Sequence, residues 1–102
     1  MSAWEAYLVE HYRPGLSAEE LGALAARVRD SARELGVETE AVRYMGTTIV
    51  PTDESMLCMF AAVSEQLVRD VYTRAEIPFE RITVVVPDTW SARPQATPKE
   101  EE

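Results

Sequence analysis

The sequence predicts an α+β domain in which a four-stranded antiparallel sheet carries two helices on one face. Two observations lead to this prediction: the elements follow the order strand, helix, strand, strand, helix, strand, and a length of 102 residues suits one domain. Right-handed crossovers in both strand–helix–strand units leave few topologies. The simplest of them is the ferredoxin-like split β-α-β fold, with the first and third strands at the centre of the sheet.

The first strand and the first helix have clear local signals. Trp4 to Tyr12 is predicted to be a strand because it is rich in aromatic and apolar residues and has no breaker. Ser17 and Glu20 form a capping box at the start of the helix, and Gly36 is predicted to end it as a left-handed cap. Apolar residues at helical spacing support this helix: Leu21, Leu24, Ala25, Val28, Ala32 and Leu35.

A hairpin is predicted after the first helix. Residues 39–50 form an extended segment in which Gly46 marks a bulge or a close backbone approach. Residues 51–54 have the composition of a turn, and Ser55 to Ala62 is predicted to be the third strand.

The second helix and the last strand follow the hairpin. Ser64 is predicted to cap the helix, whose apolar side carries Leu67, Val68, Val71 and Ala75, and Pro78 to stop it. Residues 80–86 are dense in β-branched side chains and are predicted to be the fourth strand. The domain is therefore expected to span residues 1–87, and residues 88–102, rich in Pro, Ser, Thr, Gln and Glu, to form a largely mobile tail.

Composition and charge argue against several classes of partner. The net charge is −8, and the arginines are spaced rather than gathered into a basic stripe, so neither nucleic acid nor an anionic membrane is expected to bind. No apolar stretch approaches the roughly 20 residues of a membrane span, and the N-terminus lacks the features of a signal peptide. With a single cysteine the chain forms no internal disulfide, and a cytoplasmic protein is predicted.

Both faces of the predicted sheet are apolar, which predicts a homodimer. In the third strand Met56, Cys58 and Phe60 point to one face, and Leu57, Met59 and Ala61 point to the other. Two helices cover one face only, so the second face is expected to pack against a second copy in a barrel-like, two-fold dimer. The alternative is that the tail around Trp90 folds back over the open face of a monomer.

His11 and Glu10 are the first candidates for a functional site. His11 is the only histidine, and histidine is the commonest metal ligand and proton carrier. Neighbours in a strand point to opposite faces, so Glu10 and His11 cannot bind one ion together within an extended strand. A site at His11 would need Glu5, a loop carboxylate such as Asp53, or the second copy. Both a structural, hydrogen-bonded role and a ligand role remain open for His11.

Glu10 and Cys58 also allow two interpretations each. Glu10 lies in a strand that looks buried on both sides, so it is expected either to pair with Arg43 or Arg81 or to act as an acid or base with a raised pKa. Cys58 is mid-strand and is predicted to be a small buried hydrophobic residue, since only His11 would serve as the base for a nucleophile.

Four segments of the chain resemble a family of small bacterial proteins. The segments are YLVEH at 7–11, GLS at 15–17, YMGTTIVPTDE at 44–54 and IPFERI at 77–82. The family is described either as nickel-binding or as a domain of unknown function. The resemblance implies a ferredoxin-like fold, a barrel-like homodimer and Ni²⁺ binding, and it carries Glu10, His11 and Cys58 over as metal ligands. The family usually reads Cys-x-Tyr/Phe-Glu-Ala here, and in this sequence the residue after Phe60 is Ala61 rather than glutamate.

The function predicted from the sequence is a small homodimer that binds a metal ion or a small-molecule ligand. The alternative is a cofactor-free enzyme of the oxygenase, cyclase or isomerase type, with a cavity between the paired sheets and Glu10, His11 and Tyr44 as catalytic candidates. This alternative is an analogy from the fold. A third hypothesis is a regulatory partner protein whose acidic tail is a recognition element.

Overall fold

The computed structural model describes residues 4–88 of the chain. The predicted tail therefore lies, apart from Asp88, outside the described residues. The elements are β1 (Glu5–Tyr12), α1 (Ala18–Thr39), β2 (Val42–Val50), a 3₁₀ turn (Pro51–Asp53), β3 (Ser55–Ala62), α2 (Glu65–Ala75) and β4 (Arg81–Val85).

The four strands form one antiparallel sheet in the order β2-β3-β1-β4. The two central strands are β1 and β3, and each pairs along its whole length, from Glu5 opposite Ala62 to Tyr12 opposite Ser55. Both helices contribute to one core against one face of this sheet. The predicted split β-α-β, ferredoxin-like fold is confirmed.

Helix α1 begins as predicted but ends later. The Ser17 hydroxyl accepts a hydrogen bond from the Glu20 amide at 3.1 Å, and the Glu20 carboxylate accepts one from the Ser17 amide at 2.8 Å. The prediction that Gly36 ends the helix is wrong, because α1 continues for three more residues and Glu40 takes the left-handed conformation, with φ 54°. The Glu40 amide instead bonds to the Gly36 carbonyl at 2.8 Å.

Gly36 is required for close packing rather than for a left-handed cap. A Cβ atom at this position would lie 2.8 Å from the carbonyl oxygen of Val42, which is closer than real Cβ atoms approach backbone. Helix α1 therefore lies directly on β2 at this point, and a side chain would separate them. The helical pattern alone does not distinguish this role from capping, since both favour glycine.

The hairpin between α1 and α2 is present as predicted, but its first strand starts at Val42 rather than at residue 39, because Thr39 still belongs to α1. The β2–β3 register shifts between Tyr44 and Gly46, and Gly46 has φ 130°, a conformation that favours glycine. The predicted turn is a short 3₁₀ helix that Glu54 closes in the left-handed conformation, and its amide bonds to the Pro51 carbonyl at 3.1 Å. The bulge and β3 are where the sequence places them.

Helix α2 and β4 complete the fold. The Ser64 hydroxyl accepts a hydrogen bond from the Leu67 amide at 3.3 Å, so the predicted cap is present. The helix ends at Ala75, three residues before Pro78, because Glu76 turns into the left-handed conformation. The backbone then crosses to β4, and the Glu80 amide bonds to the Glu10 carbonyl at 2.8 Å. No helix within residues 4–88 is long and apolar enough to span a membrane.

Candidate functional site

The two faces of the sheet separate the residues that the sequence singled out. Strand pairing sets Val9 opposite Cys58 and His11 opposite Met56, and all four side chains are buried under the helices. Because side chains alternate along a strand, Glu10 points to the opposite, open face. His11 and Cys58 therefore share the helix side of the sheet, and Glu10 does not lie with them.

His11 is a buried imidazole with one bonded nitrogen. The side chain is 1% exposed, and Nδ1 lies 3.1 Å from the Met56 carbonyl oxygen. A carbonyl only accepts, so Nδ1 carries the proton and donates it, and Nε2 of the neutral ring presents a lone pair. Burial lowers the pKa of His11 below its ordinary value. The hydrogen bond to the Met56 carbonyl partly offsets this, and the charges of Arg13 and Glu80 have smaller, opposite effects. Nε2 is buried without a hydrogen-bond partner.

Tyr72 of α2 packs directly against His11. The two ring centroids are 5.1 Å apart at 42°, and the Tyr72 ring also meets Phe60 edge-on at 5.8 Å. The Tyr72 hydroxyl is buried and has no partner with the geometry of a hydrogen bond. Burial, and then the neighbouring Cys58 thiol, raise the pKa of Tyr72 far above its ordinary value, so the phenol is neutral. His11 Nε2 and Tyr72 Oη are the two buried side-chain polar atoms without a partner in the described part of the chain.

Cys58 contacts both Tyr72 and Thr47 of β2. Its Sγ lies 3.0 Å from the hydroxyl oxygen of Thr47, which in turn lies 2.5 Å from the Tyr44 hydroxyl. Burial raises the pKa of the Cys58 thiol, and the Thr47 and Tyr72 hydroxyls partly offset this rise. The thiol is therefore protonated at neutral pH. We call the five side chains the helix-side polar cluster: His11, Tyr72, Cys58, Thr47 and Tyr44.

Glu10 has a different environment on the open face. Its carboxylate pairs with Arg81 of β4 at 2.7 Å, which is one of the two partners that the sequence predicted. The Glu10 side chain is 33% exposed and that of Arg81 68% exposed, so this is a solvated ion pair rather than a buried one. The proposed catalytic set of Glu10, His11 and Tyr44 is divided between the two faces.

The helix-side polar cluster is short of metal ligands of the usual types. Among residues 4–88 no group of three or more His, Cys, Asp or Glu side chains is close enough to hold a metal ion. The cluster offers one imidazole nitrogen, one sulfur and hydroxyl oxygens. Nitrogen and sulfur donors suit Ni²⁺, so the donor types fit although their number is small.

Two members of the cluster were not identified from the sequence. Tyr72 follows Val71 and lies four residues after Val68, so its place on the apolar side of α2 was readable, but its contact with His11 depends on tertiary packing. Thr47 belongs to a short run of hydroxyl residues that carries no specific signal. Its side chain reaches Cys58 because the bulge at Gly46 resets the β2 register.

The fold and the cluster define a class of small α+β protein: a ferredoxin-like domain with an imidazole and a thiol buried between sheet and helix. A family model described as "Nickel responsive protein SCO4226-like" matches residues 7–85. The chain belongs to this family.

A solved structure has the same fold as this chain. The crystal structure of SCO4226 from Streptomyces coelicolor A3(2) superposes with a TM-score of 0.62 over 78% of this chain and 94% of that one, at 18% identity. At this identity the likeness concerns the fold alone. No curated protein matches the chain.

Proposed function

We propose that this chain is a small homodimeric metal-binding protein whose ion, Ni²⁺ first, binds at His11 and Cys58. The observation that carries the proposal is the orphaned lone pair of His11 Nε2, in a ring that packs against Tyr72, whose hydroxyl is equally orphaned, on the same side of the sheet as Cys58. Buried polar atoms in native proteins almost always have partners, and exceptions point to an unseen ion, water or function. The family description, which names nickel responsiveness, supports nickel as the ion.

The protonation states of the cluster favour a metal ion over a proton at His11. The Met56 carbonyl fixes the tautomer that leaves Nε2 free, and the lowered pKa keeps the ring neutral. Tyr72 would add a neutral oxygen, and Cys58 would lose its proton on binding, as thiol ligands do. When bound, Ni²⁺ would supply a positive charge that holds the thiolate in an otherwise apolar core.

The small number of donors predicts an exchangeable ion. Two conventional ligands and a phenol leave coordination positions for water or a small molecule, in contrast to a closed structural site with four protein ligands. Such a site suits a protein that responds to a changing metal supply. Glu10 is a weaker candidate, since it pairs with Arg81 on the other face of the sheet.

A second copy is the proposed partner of the open face. Both helices lie on the other side of the sheet, so Leu8, Leu57 and Met59 remain half-buried at the centre of an otherwise uncovered surface. Sheet-to-sheet packing would bury these side chains and the Glu10–Arg81 pairs of both copies. The cytoplasm is the proposed compartment, because the single cysteine is free and buried.

Isothermal titration calorimetry of the untagged, metal-free protein with NiCl₂ tests the metal proposal. We expect one ion per chain in wild type, and at least about tenfold weaker binding in His11→Gln, as loss of a metal ligand or its support usually costs 10–100-fold. His11→Gln keeps an amide that can still bond to the Met56 carbonyl, so the fold should survive.

Glu10→Gln is the matched control, because it removes a charge from the neighbouring residue on the opposite face. It should bind as wild type does. Equal weakening in Glu10→Gln and His11→Gln, or no heat of binding in wild type, would rule out the site at His11 and Cys58.

A further inference from the structure

Tyr72 of the helix-side polar cluster borders a depression on the protein surface, distinct from the one beside α1 and β2 that Tyr44 borders. The depression has a volume of about 420 Å³ and lies beside the end of α2. Its lining includes Arg69, Tyr72, Glu76, Ile77 and Phe79. Yet the Tyr72 side chain is only 2% exposed, because it fills the floor of this depression.

The contacts of Tyr72 place it between solvent and the buried donors. On its outer side the ring meets Phe79 at 5.2 Å, and on its inner side it meets His11 at 5.1 Å. Its hydroxyl faces the Cys58 thiol. Movement of this one ring would therefore connect the surface depression with both His11 and Cys58.

Three features make such a movement easy compared with most core tyrosines. The hydroxyl has no partner with the geometry of a hydrogen bond, so only its contact with the Cys58 thiol is lost when the ring swings outward, and water would then hydrogen-bond to it. Phe79, which covers the ring, is half-buried in a segment without helix or strand. That segment begins at Glu76, which has the left-handed conformation and turns the backbone away from the end of α2.

Phe79 is itself held by a surface contact. The guanidinium of Arg69 lies over the Phe79 ring at 5.6 Å, and it pairs with Glu65 at 2.7 Å one turn earlier in α2. Both charged side chains are about half exposed, so these contacts are weak and reversible.

From these contacts we propose that Tyr72 is a gate: its ring closes the path from the surface depression to His11 and Cys58, and it opens by local movement with Phe79. The ion that passes this gate is the one in the proposed function, on which this part of the inference rests. The gate itself makes no use of a metal and has its own test.

The rate at which Cys58 reacts with a water-soluble aromatic disulfide reagent tests the gate in metal-free, full-length protein. Cys58 is the only cysteine, so the released thiolate reports one site. In wild type we expect a rate that is independent of urea well below the unfolding transition, as is typical of local opening rather than global unfolding.

Two substitutions should move this rate in opposite directions. Phe79→Ala removes the cover and should raise the rate at least about tenfold. Tyr72→Phe keeps the ring but removes the buried hydroxyl. Because this removal stabilises the closed position of the ring, the substitution should lower the rate at least about threefold.

Val68→Ala is the control for global stability, because this buried residue of α2 does not line the depression. It should leave the urea-independent rate unchanged while lowering the unfolding midpoint. A wild-type rate that rises with urea in step with unfolding would overturn the gate, as would equal rates in Tyr72→Phe, Phe79→Ala and wild type. A gated rate without nickel binding would support the gate and reject only the metal proposal.

Discussion

The imidazole of His11 and the phenol of Tyr72 lie with their ring centroids 5.1 Å apart in the core, and each keeps one polar atom without a partner. The two residues come from β1 and α2. Cys58 of β3 lies next to the Tyr72 hydroxyl and shares the helix side of the sheet with His11. This arrangement places the candidate site on the helix side of the sheet. The enzyme alternative places Glu10, His11 and Tyr44 in a cavity between paired sheets. Of these three residues only Glu10 lies on the open face of the sheet, where it pairs with Arg81.

His11 should make folding stability depend on pH. Burial lowers its folded-state pKa below the unfolded value of about 6.5. Below about pH 6.5 the unfolded chain therefore binds a proton that the folded chain does not, and stability falls as pH falls toward the folded pKa. The loss should reach at most about 1.4 kcal/mol per pH unit.

Urea unfolding between about pH 7.5 and 5.5 measures this effect, over a range in which ordinary carboxylates stay ionised. The difference in unfolding free energy between wild type and His11→Gln should shrink as the pH falls, because the variant has no imidazole to protonate. A difference that stays constant with pH would show that His11 has the same pKa in both states.

Two glycines of α1 should respond oppositely to alanine. Gly36→Ala brings a Cβ to 2.8 Å from the Val42 carbonyl, a backbone atom, and should destabilise the fold by about 1–3 kcal/mol as overpacking does. At Gly22 a Cβ would meet nothing within 4 Å, so Gly22→Ala should stabilise the helix by up to about 1 kcal/mol. Thermal unfolding of both variants checks the pair, and a neutral Gly36→Ala would contradict the close contact between α1 and β2.

The proposed dimer should dissociate when a charge enters the open face. Met59 lies at the centre of that face in β3, and Met59→Glu would bury an unpaired carboxylate against the second copy. We expect association to weaken at least about hundredfold, which analytical ultracentrifugation measures directly. Val37→Glu, on the exposed side of α1, should leave the dimer intact. A monomeric wild type would reject the dimer.

Nickel binding should release one proton and strengthen with pH. The Cys58 thiol is protonated at neutral pH because burial raises its pKa, whereas His11 is already neutral. Affinity should therefore rise about tenfold per pH unit between about pH 7 and 8. Titrations in buffers of different ionisation enthalpy count the protons. Release of no proton would exclude the thiolate as a ligand.

Local patterns sufficed to predict the fold, because each element carries its own signal. The capping box at Ser17, the bulge at Gly46 and the Ser64 cap are each short-range features, and all three are present. The predicted end of α1 at Gly36 was wrong, since capping and close packing both favour glycine and only the tertiary structure separates them.

The candidate site was only partly predictable. Strand alternation correctly separated Glu10 from His11, but it did not show which of the two would face the helices. The contact between His11 and Tyr72 joins residues far apart in the chain, and the Thr47–Cys58 contact depends on a shifted register. Neither contact follows from spacing along the sequence.

The absorption spectrum of the metal-free protein during titration with NiCl₂ tests the central claim most directly. A thiolate bound to Ni²⁺ gives a ligand-to-metal charge-transfer band in the near ultraviolet. The band should grow to one equivalent in wild type and in Glu10→Gln, and should be absent in Cys58→Ser. No band in wild type, or an unchanged band in Cys58→Ser, would contradict nickel binding at the helix-side polar cluster.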